Sequence, residues 1–132
     1  DLWRKGFSGV FRANKLLEKI AAVPMSEAKK ARYVAECKFL RAYFYFDLLR
    51  MFKNIPLLLQ PLDVNEMFDV TQAAPADVWA QIEKDLKDAI AETQLPDRIT
   101  DLNEKARATK GAAHALLGKV YIYQEKWPEA AA

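Results

Sequence analysis

The chain has 132 residues, 52% hydrophobic and 29% charged, with twenty Lys and Arg against eighteen Asp and Glu for a formal charge of +2. This balance is ordinary for a globular protein and excludes a disordered tail, and the length suits about one domain with a single modest core. No run of like charges stands out, which leaves nucleic-acid binding without support.

The first predicted helix runs from about Leu2 to Ala22, where Trp3, Phe7, Val10, Phe11, Asn14, Leu17 and Ile20 recur at steps of three and four. Gly6 and Gly9 weaken its first turns, and Pro24 ends it. Ser26 is a suitable N-cap for a second helix from Ala28 to about Phe52, an unusual length that implies packing by several other elements. Within it, Phe39 to Phe52 carries apolar side chains on every side, so neighbours should enclose it. That stretch is too short to cross a hydrocarbon core, and Arg41, Asp47 and Arg50 interrupt it, so the enclosing medium is protein. Cys37, the only cysteine, also lies here and reads as a small buried hydrophobe; no internal disulfide or cysteine-based metal cluster can form.

Residues 53–74 form the longest irregular stretch, with Pro56 and Pro61. At roughly twenty residues it exceeds the usual helix-to-helix loop, and is either a functional insertion or a packed excursion. Ile55 to Leu59 has the apolar character of a short strand, but Pro56 limits it to a sheet edge or to none. Pro75 suits the first position of a third helix and Asp77 its first turn. This helix is the most clearly amphipathic, with Val78, Ile82, Leu86 and Ile90 inside and Gln81, Glu83, Lys84, Lys87 and Asp88 outside; it is expected to stop at Leu95-Pro96. A polar loop, 97–108, leads to Thr109, which can cap a fourth helix containing Ala112, Ala113, Leu116, Leu117, Val120, Tyr121 and Tyr123. Lys126-Trp127-Pro128 then turns into a fifth.

The element Leu117-Gly118-Lys119-Val120-Tyr121 matches the first helix of a tetratricopeptide repeat, with a glycine after leucine and a tyrosine three positions on. In such repeats the glycine lets a second helix cross closely, and Gly118 is expected to do the same. Trp127 and Ala130 fall where that second helix presents an aromatic and a small residue. Motif and chain stop together at Ala132, which predicts that these residues are a piece of a longer protein.

The order of motifs is more specific than any one of them. The runs Glu36-Cys37-Lys38-Phe39-Leu40-Arg41-Ala42-Tyr43-Phe44-Tyr45-Phe46-Asp47-Leu48, Phe52-Lys53-Asn54-Ile55-Pro56-Leu57, Ile82-Glu83-Lys84-Asp85-Leu86-Lys87-Asp88-Ala89 and Ala106-Arg107-Ala108-Thr109-Lys110-Gly111-Ala112-Ala113 closely resemble the SusD/RagB family of outer-membrane nutrient-binding lipoproteins. The resemblance implies an all-α fold, with tetratricopeptide-like antiparallel helix pairs in a right-handed solenoid segment and one irregular insertion. Residues 1–132 would be one helical domain of the longer protein. It further implies a lipid-anchored cell-surface protein that caps a TonB-dependent outer-membrane transporter and delivers glycans or other nutrients to it. Ligand contacts in the family lie largely outside the region matched here, so no ligand-binding residue is assigned. The lipid-bearing cysteine has no counterpart in this chain.

Arg41 and Asp85 are charges set deep in apolar surroundings, and are expected to meet as a buried bidentate pair between the second and third helices. Each could instead point outward and be solvated. Trp79, Trp127 and Tyr121 could serve as sugar-stacking platforms, but at helical spacing beside aliphatic residues they read as core. Phe68 is the aromatic most expected to be exposed, with Trp3 a weaker candidate. Arg41, Asp85, Trp79, Gly118, Tyr121 and Trp127 are therefore assigned structural roles. The sole histidine, His114, lies in a helix expected to be packed, and no phosphate loop, nucleophile elbow or metalloprotease pattern occurs. No catalytic residue, metal ligand or cofactor is assigned. Glu83 and Asp88 read as a solvated helix face. The leading expectation is a scaffold for non-covalent nutrient capture. The rival is a stand-alone tetratricopeptide adaptor that binds a peptide, and the weakest reading is part of an enzyme whose catalytic residues lie elsewhere.

Overall fold

The structure is a computed structural model that describes residues 1–63 and 65–132. Five helices account for most of it: α1 (Leu2–Lys19), α2 (Glu27–Phe52), α3 (Pro75–Ala91), α4 (Lys110–Tyr123) and α5 (Trp127–Ala131). Short 3-10 turns follow α1 at Ile20–Ala22 and interrupt the two long connections at Glu66–Phe68 and Leu102–Glu104. Among the described residues there is no strand, so Ile55 to Leu59 is extended chain without a sheet partner.

Local chemistry sets most of the helix ends. Ser26 accepts the Lys29 N–H at 3.4 Å and Thr109 accepts the Ala112 N–H at 3.1 Å, each satisfying a backbone donor left free by the first turn. Pro75 begins α3, where its missing N–H costs nothing. At the other end of α2, Lys53 takes φ 60° and ψ −65°, and the Asn54 N–H closes back on the Phe52 carbonyl at 2.7 Å. This tight γ-turn reverses the chain abruptly into the insertion.

The helix α3 ends at Ala91 and not at Leu95-Pro96 as its apolar pattern predicts. Glu92 is extended, its side chain accepts the Gln94 N–H at 2.9 Å, and the resulting turn carries Leu95 inward against Ala35 and Ala89. Burying Leu95 this way outweighs one more turn of helix.

From α1 to α4, successive helices are antiparallel, as the residues that meet across them show. Between α1 and α2, Gly6 faces Leu48, Gly9 faces Phe44 and the Ala13 carbonyl accepts from Cys37 Sγ, so the numbers run in opposite directions. Between α2 and α3 the same holds for Phe46 with Trp79, Arg41 with Asp85 and Lys38 with Asp88. For α3 and α4, Glu83 reaches Gln124 while Lys87 lies over the Tyr121 ring. The core lies between α2, α3 and α4: Ala42, Tyr45, Phe46 and Leu49 meet Val78, Ile82 and Leu86, which in turn meet Ala113, Leu117 and Val120. Ile55 of the insertion is fully buried there, so this stretch is in part a packed excursion.

Two expectations about packing fail. The helix α2 is not enclosed on all sides, because Leu40, Tyr43, Met51 and Phe52 face outward. Gly118 is not a close crossing point either: a Cβ added there would meet nothing within 4 Å. The α5 helix extends only over Trp127–Ala131 and rests on α4 without approaching that glycine. Close approach occurs instead at Gly6 and Gly9, where added Cβ atoms would strike Leu48, at 2.7 Å, and the Phe44 ring. The glycines that weaken α1 locally are thus the ones that let α2 come near.

These environments predict opposite signs for one substitution. Gly6→Ala should lower stability by up to about 2 kcal/mol, because overpacking against the buried Leu48 costs about 1–3 kcal/mol and the gain in helix propensity returns about 1. Gly118→Ala should raise stability by up to about 1 kcal/mol, because only propensity changes. Urea denaturation of the two variants checks this; destabilisation by Gly118→Ala would show a crossing helix after all.

Candidate functional site

The features that could serve a function are the irregular segments, and a set of buried polar groups determines where they sit. The first of these groups is centred on Arg41. Its Nε and Nη2 donate to the two carboxylate oxygens of Asp85 at 2.7 and 2.8 Å, a bidentate pair between α2 and α3. Its Nη1 donates to Asn14 Oδ1 of α1 at 2.8 Å, and Gln81 Nε2 adds a third donor to Asp85 at 3.0 Å. Arg41 is 6% exposed and Asp85 1%. Burial alone would favour loss of the Arg41 proton, but the hydrogen bonds and charge of Asp85 outweigh it and hold the guanidinium above its ordinary pKa.

Asn14 then passes the connection to the insertion. Its Nδ2 donates to the Leu58 carbonyl at 2.9 Å and to that of Gln60 at 3.4 Å. The Tyr45 hydroxyl of α2 both donates to the Leu58 carbonyl and accepts the Leu58 N–H, each at 2.7 Å. Burial pushes the Tyr45 phenol up to about 12, partly countered by its bond to Leu58, so it stays protonated and able to donate. The backbone of Leu58 thus finds in two helices the partners that a strand would have supplied. At its far end the insertion is closed by the Ala73 N–H on the Ile55 carbonyl at 3.0 Å. Among the described residues, no buried side-chain nitrogen or oxygen lacks a partner.

Two further groups repeat the arrangement. Glu36 of α2 accepts from Arg107 and Arg32, and Arg32 reaches Glu104 at 2.8 Å, while the Arg107 guanidinium lies 5.0 Å above the Tyr33 ring. These contacts bind loop 97–109 to α2. Glu83 of α3, expected on a solvated face, is buried and accepts from Gln124 at 2.8 Å, Lys87 at 3.1 Å and Lys126. Burial disfavours its charge, yet these donors prevail and its pKa is lowered. The turn between α4 and α5 is tied to α3 through this carboxylate. Asp88 is also engaged, bridging Lys38 at 2.7 Å and Lys84 at 2.8 Å, and its pKa is lowered by both.

The aromatic residues separate into two sets. Tyr121 is buried, and Trp79 is half-buried against Phe46 at 6.1 Å. Trp127, read as core, is 59% exposed, and His114 is exposed rather than packed. Phe68 projects from the insertion at 85% exposure beside the exposed Met67. Asn14, Tyr45, Glu36 and Glu83 are the bracing positions that sequence reasoning did not single out. For Asn14 the signal was present, as an amide in the middle of the apolar stripe of α1. No cluster of His, Cys, Asp or Glu suited to a metal ion, and no helix long and apolar enough to cross a membrane, occurs among the described residues. What the arrangement does is hold irregular segments in fixed positions on antiparallel helices.

Comparison with known proteins agrees with this frame. A family described as SusD-like, "Starch-binding associating with outer membrane", matches residues 1–122. The chain belongs to the SusD-like family. A SusD-like protein of Bacteroides ovatus is 30% identical over 130 residues, covering 95% of this chain and 22% of that relative. Among solved structures, a laminarin-binding SusD-like protein superposes with a TM-score of 0.92 at 50% identity, over 98% of this chain and 28% of its own. Surface glycan-binding protein A from Bacteroides fluxus gives a TM-score of 0.84 at 30% identity, over 95% of this chain and 26% of its own. This SusD-like chain therefore spans about a quarter of the length of the relatives it matches, 22% in the Bacteroides ovatus protein.

Loss of one partner from the buried pair should be costly. Arg41→Met leaves the Asp85 carboxylate buried without its guanidinium and should destabilise by about 3–5 kcal/mol, whereas the double variant Arg41→Met/Asp85→Leu should recover much of that loss. Chemical denaturation of the two variants checks it. A loss below about 1 kcal/mol in Arg41→Met would mean that the pair has little structural weight.

Proposed function

We propose that residues 1–132 are the helical frame of a cell-surface protein that captures a nutrient, in the first place a glycan, without chemical change. In this reading the full-length protein is held at the outer membrane by a lipid on a cysteine outside these residues, docks on a TonB-dependent transporter and delivers its ligand to it. The glycan is taken through loops outside residues 1–132, and the antiparallel pairs continue as a right-handed solenoid.

The observation that supports this most directly is the polar chain from Asp85 through Arg41 and Asn14 to Leu58. A frame that fixes irregular segments before binding reduces the ordering cost that binding would otherwise carry. Membership in a family described as starch-binding supplies the ligand class, and the laminarin-binding relative shows a glycan ligand in a protein sharing this frame. Calorimetric titration of the full-length protein against a glycan panel that includes laminarin tests the proposal, with residues 1–132 as control. Saturable binding by the full-length protein and none by the control is the expected result. Binding by residues 1–132 would overturn the frame assignment, and a full-length protein that takes no glycan would overturn the ligand class.

A further inference from the structure

The outer faces of α1 and α2 leave a long apolar groove unfilled. A cavity of about 710 Å³ is lined by Gly9, Ala13, Leu16, Leu40 and Phe44 with Arg4, Lys5 and Arg12 on its rim. A second, of about 370 Å³, shares Lys5 and Phe44 with the first and continues along Leu2, Gly6, Tyr43, Leu48, Met51 and Phe52. Leu2, Leu16, Leu40, Tyr43, Met51 and Phe52 are all substantially exposed here, so the patch is continuous and not a scatter of single side chains. From Leu2 to Leu16 it follows α1 for roughly 21 Å at 1.5 Å per residue, the length of a helix of about 14 residues.

The rim carries a charge bias. Arg4 and Lys5 share one exposed partner, Asp1, at 3.3 and 3.4 Å, and Arg12 also faces the groove. Asp47 is already engaged by Arg50 at 3.0 Å. Cations thus exceed carboxylates along the α1 edge, while the floor is aliphatic and aromatic.

We infer that this groove seats an amphipathic helix of about four turns with acidic residues along the flank facing α1, contributed by a part of the full-length protein outside residues 1–132. Two observations select that occupant. The groove between two antiparallel helices exposes aliphatic and aromatic side chains along a length that one further helix would cover, and the cationic edge calls for a carboxylate flank. The relatives carry some three quarters of their length beyond the matched region, which is ample to supply such a helix. The inference rests on family membership and not on transporter docking or glycan capture.

Cysteine labelling of the full-length protein, purified without transporter, tests it. Cys37 lies on the floor of the groove, buried with its thiol pushed up to about 11, and is replaced by Ala in every labelled variant so that urea exposes no thiol from it. In the variants Leu40→Cys and Tyr43→Cys, the new thiols should react with a maleimide at least about 100-fold more slowly in the native protein than in urea. Neither position belongs to the buried core of residues 1–132, so either variant should fold. Slowing of less than tenfold overturns the inference, as does protection that appears only after transporter is added or only at concentrations where the protein dimerises. Carbodiimide cross-linking of the unsubstituted protein should join Lys5 to a carboxylate outside residues 1–132; coupling to Asp1 alone would overturn the acidic flank.

Discussion

A guanidinium removed from water must be matched at nearly every donor, and in this chain that requirement brings four segments to one point. Arg41 uses Nε and both terminal nitrogens, two of them on Asp85 and one on Asn14, so α1, α2 and α3 are referenced to a single planar group. Asn14 turns its amide nitrogen toward Leu58, and Tyr45 meets the same backbone unit from α2. The apolar core would tolerate small slides of one helix past another. A fork of hydrogen bonds with distances of 2.7–2.8 Å would not, because each displacement exposes a buried charge.

The same device, in less buried form, recurs wherever the chain leaves helical structure. Glu36 holds loop 97–109, and Glu83 holds the turn before α5. Each brace joins a helix to a segment with no repeating hydrogen bonds of its own. This explains how a protein whose family is described as starch-binding can use helices as its frame: the helices bury the apolar surface, and their polar residues set the geometry of the loops.

How far the amino-acid sequence predicts this depends on whether the controlling contact is local. The starts of α2, α3 and α4 follow from Ser26, Pro75 and Thr109, whose effects lie within one turn. The end of α3 depends on burying Leu95 against Ala35, sixty residues away, and no periodicity within the helix reveals it. Glu83 occupies a position that the helical pattern assigns to solvent, but its partners Gln124 and Lys126 come from a turn some forty residues later. The glycines show the limit of motif reasoning. Gly118 fits a repeat signature but faces open space, whereas Gly6 and Gly9 fit no signature and hold the closest approach. The pairing of Arg41 with Asp85 was foreseeable because buried opposite charges on adjacent helices have few alternatives. That Asn14 extends the pairing to the insertion follows only from the fold.

The amide of Leu58 reports most directly on whether the polar lattice anchors the insertion, because its only partner among the described residues is the Tyr45 hydroxyl. Native-state hydrogen exchange should show this amide protected to the level of α2 core amides, with the protection lost in Tyr45→Phe while the amides of Ile82 and Leu86 remain slow. Exchange at Leu58 in the unsubstituted protein as fast as at the exposed tip around Phe68 would contradict the account.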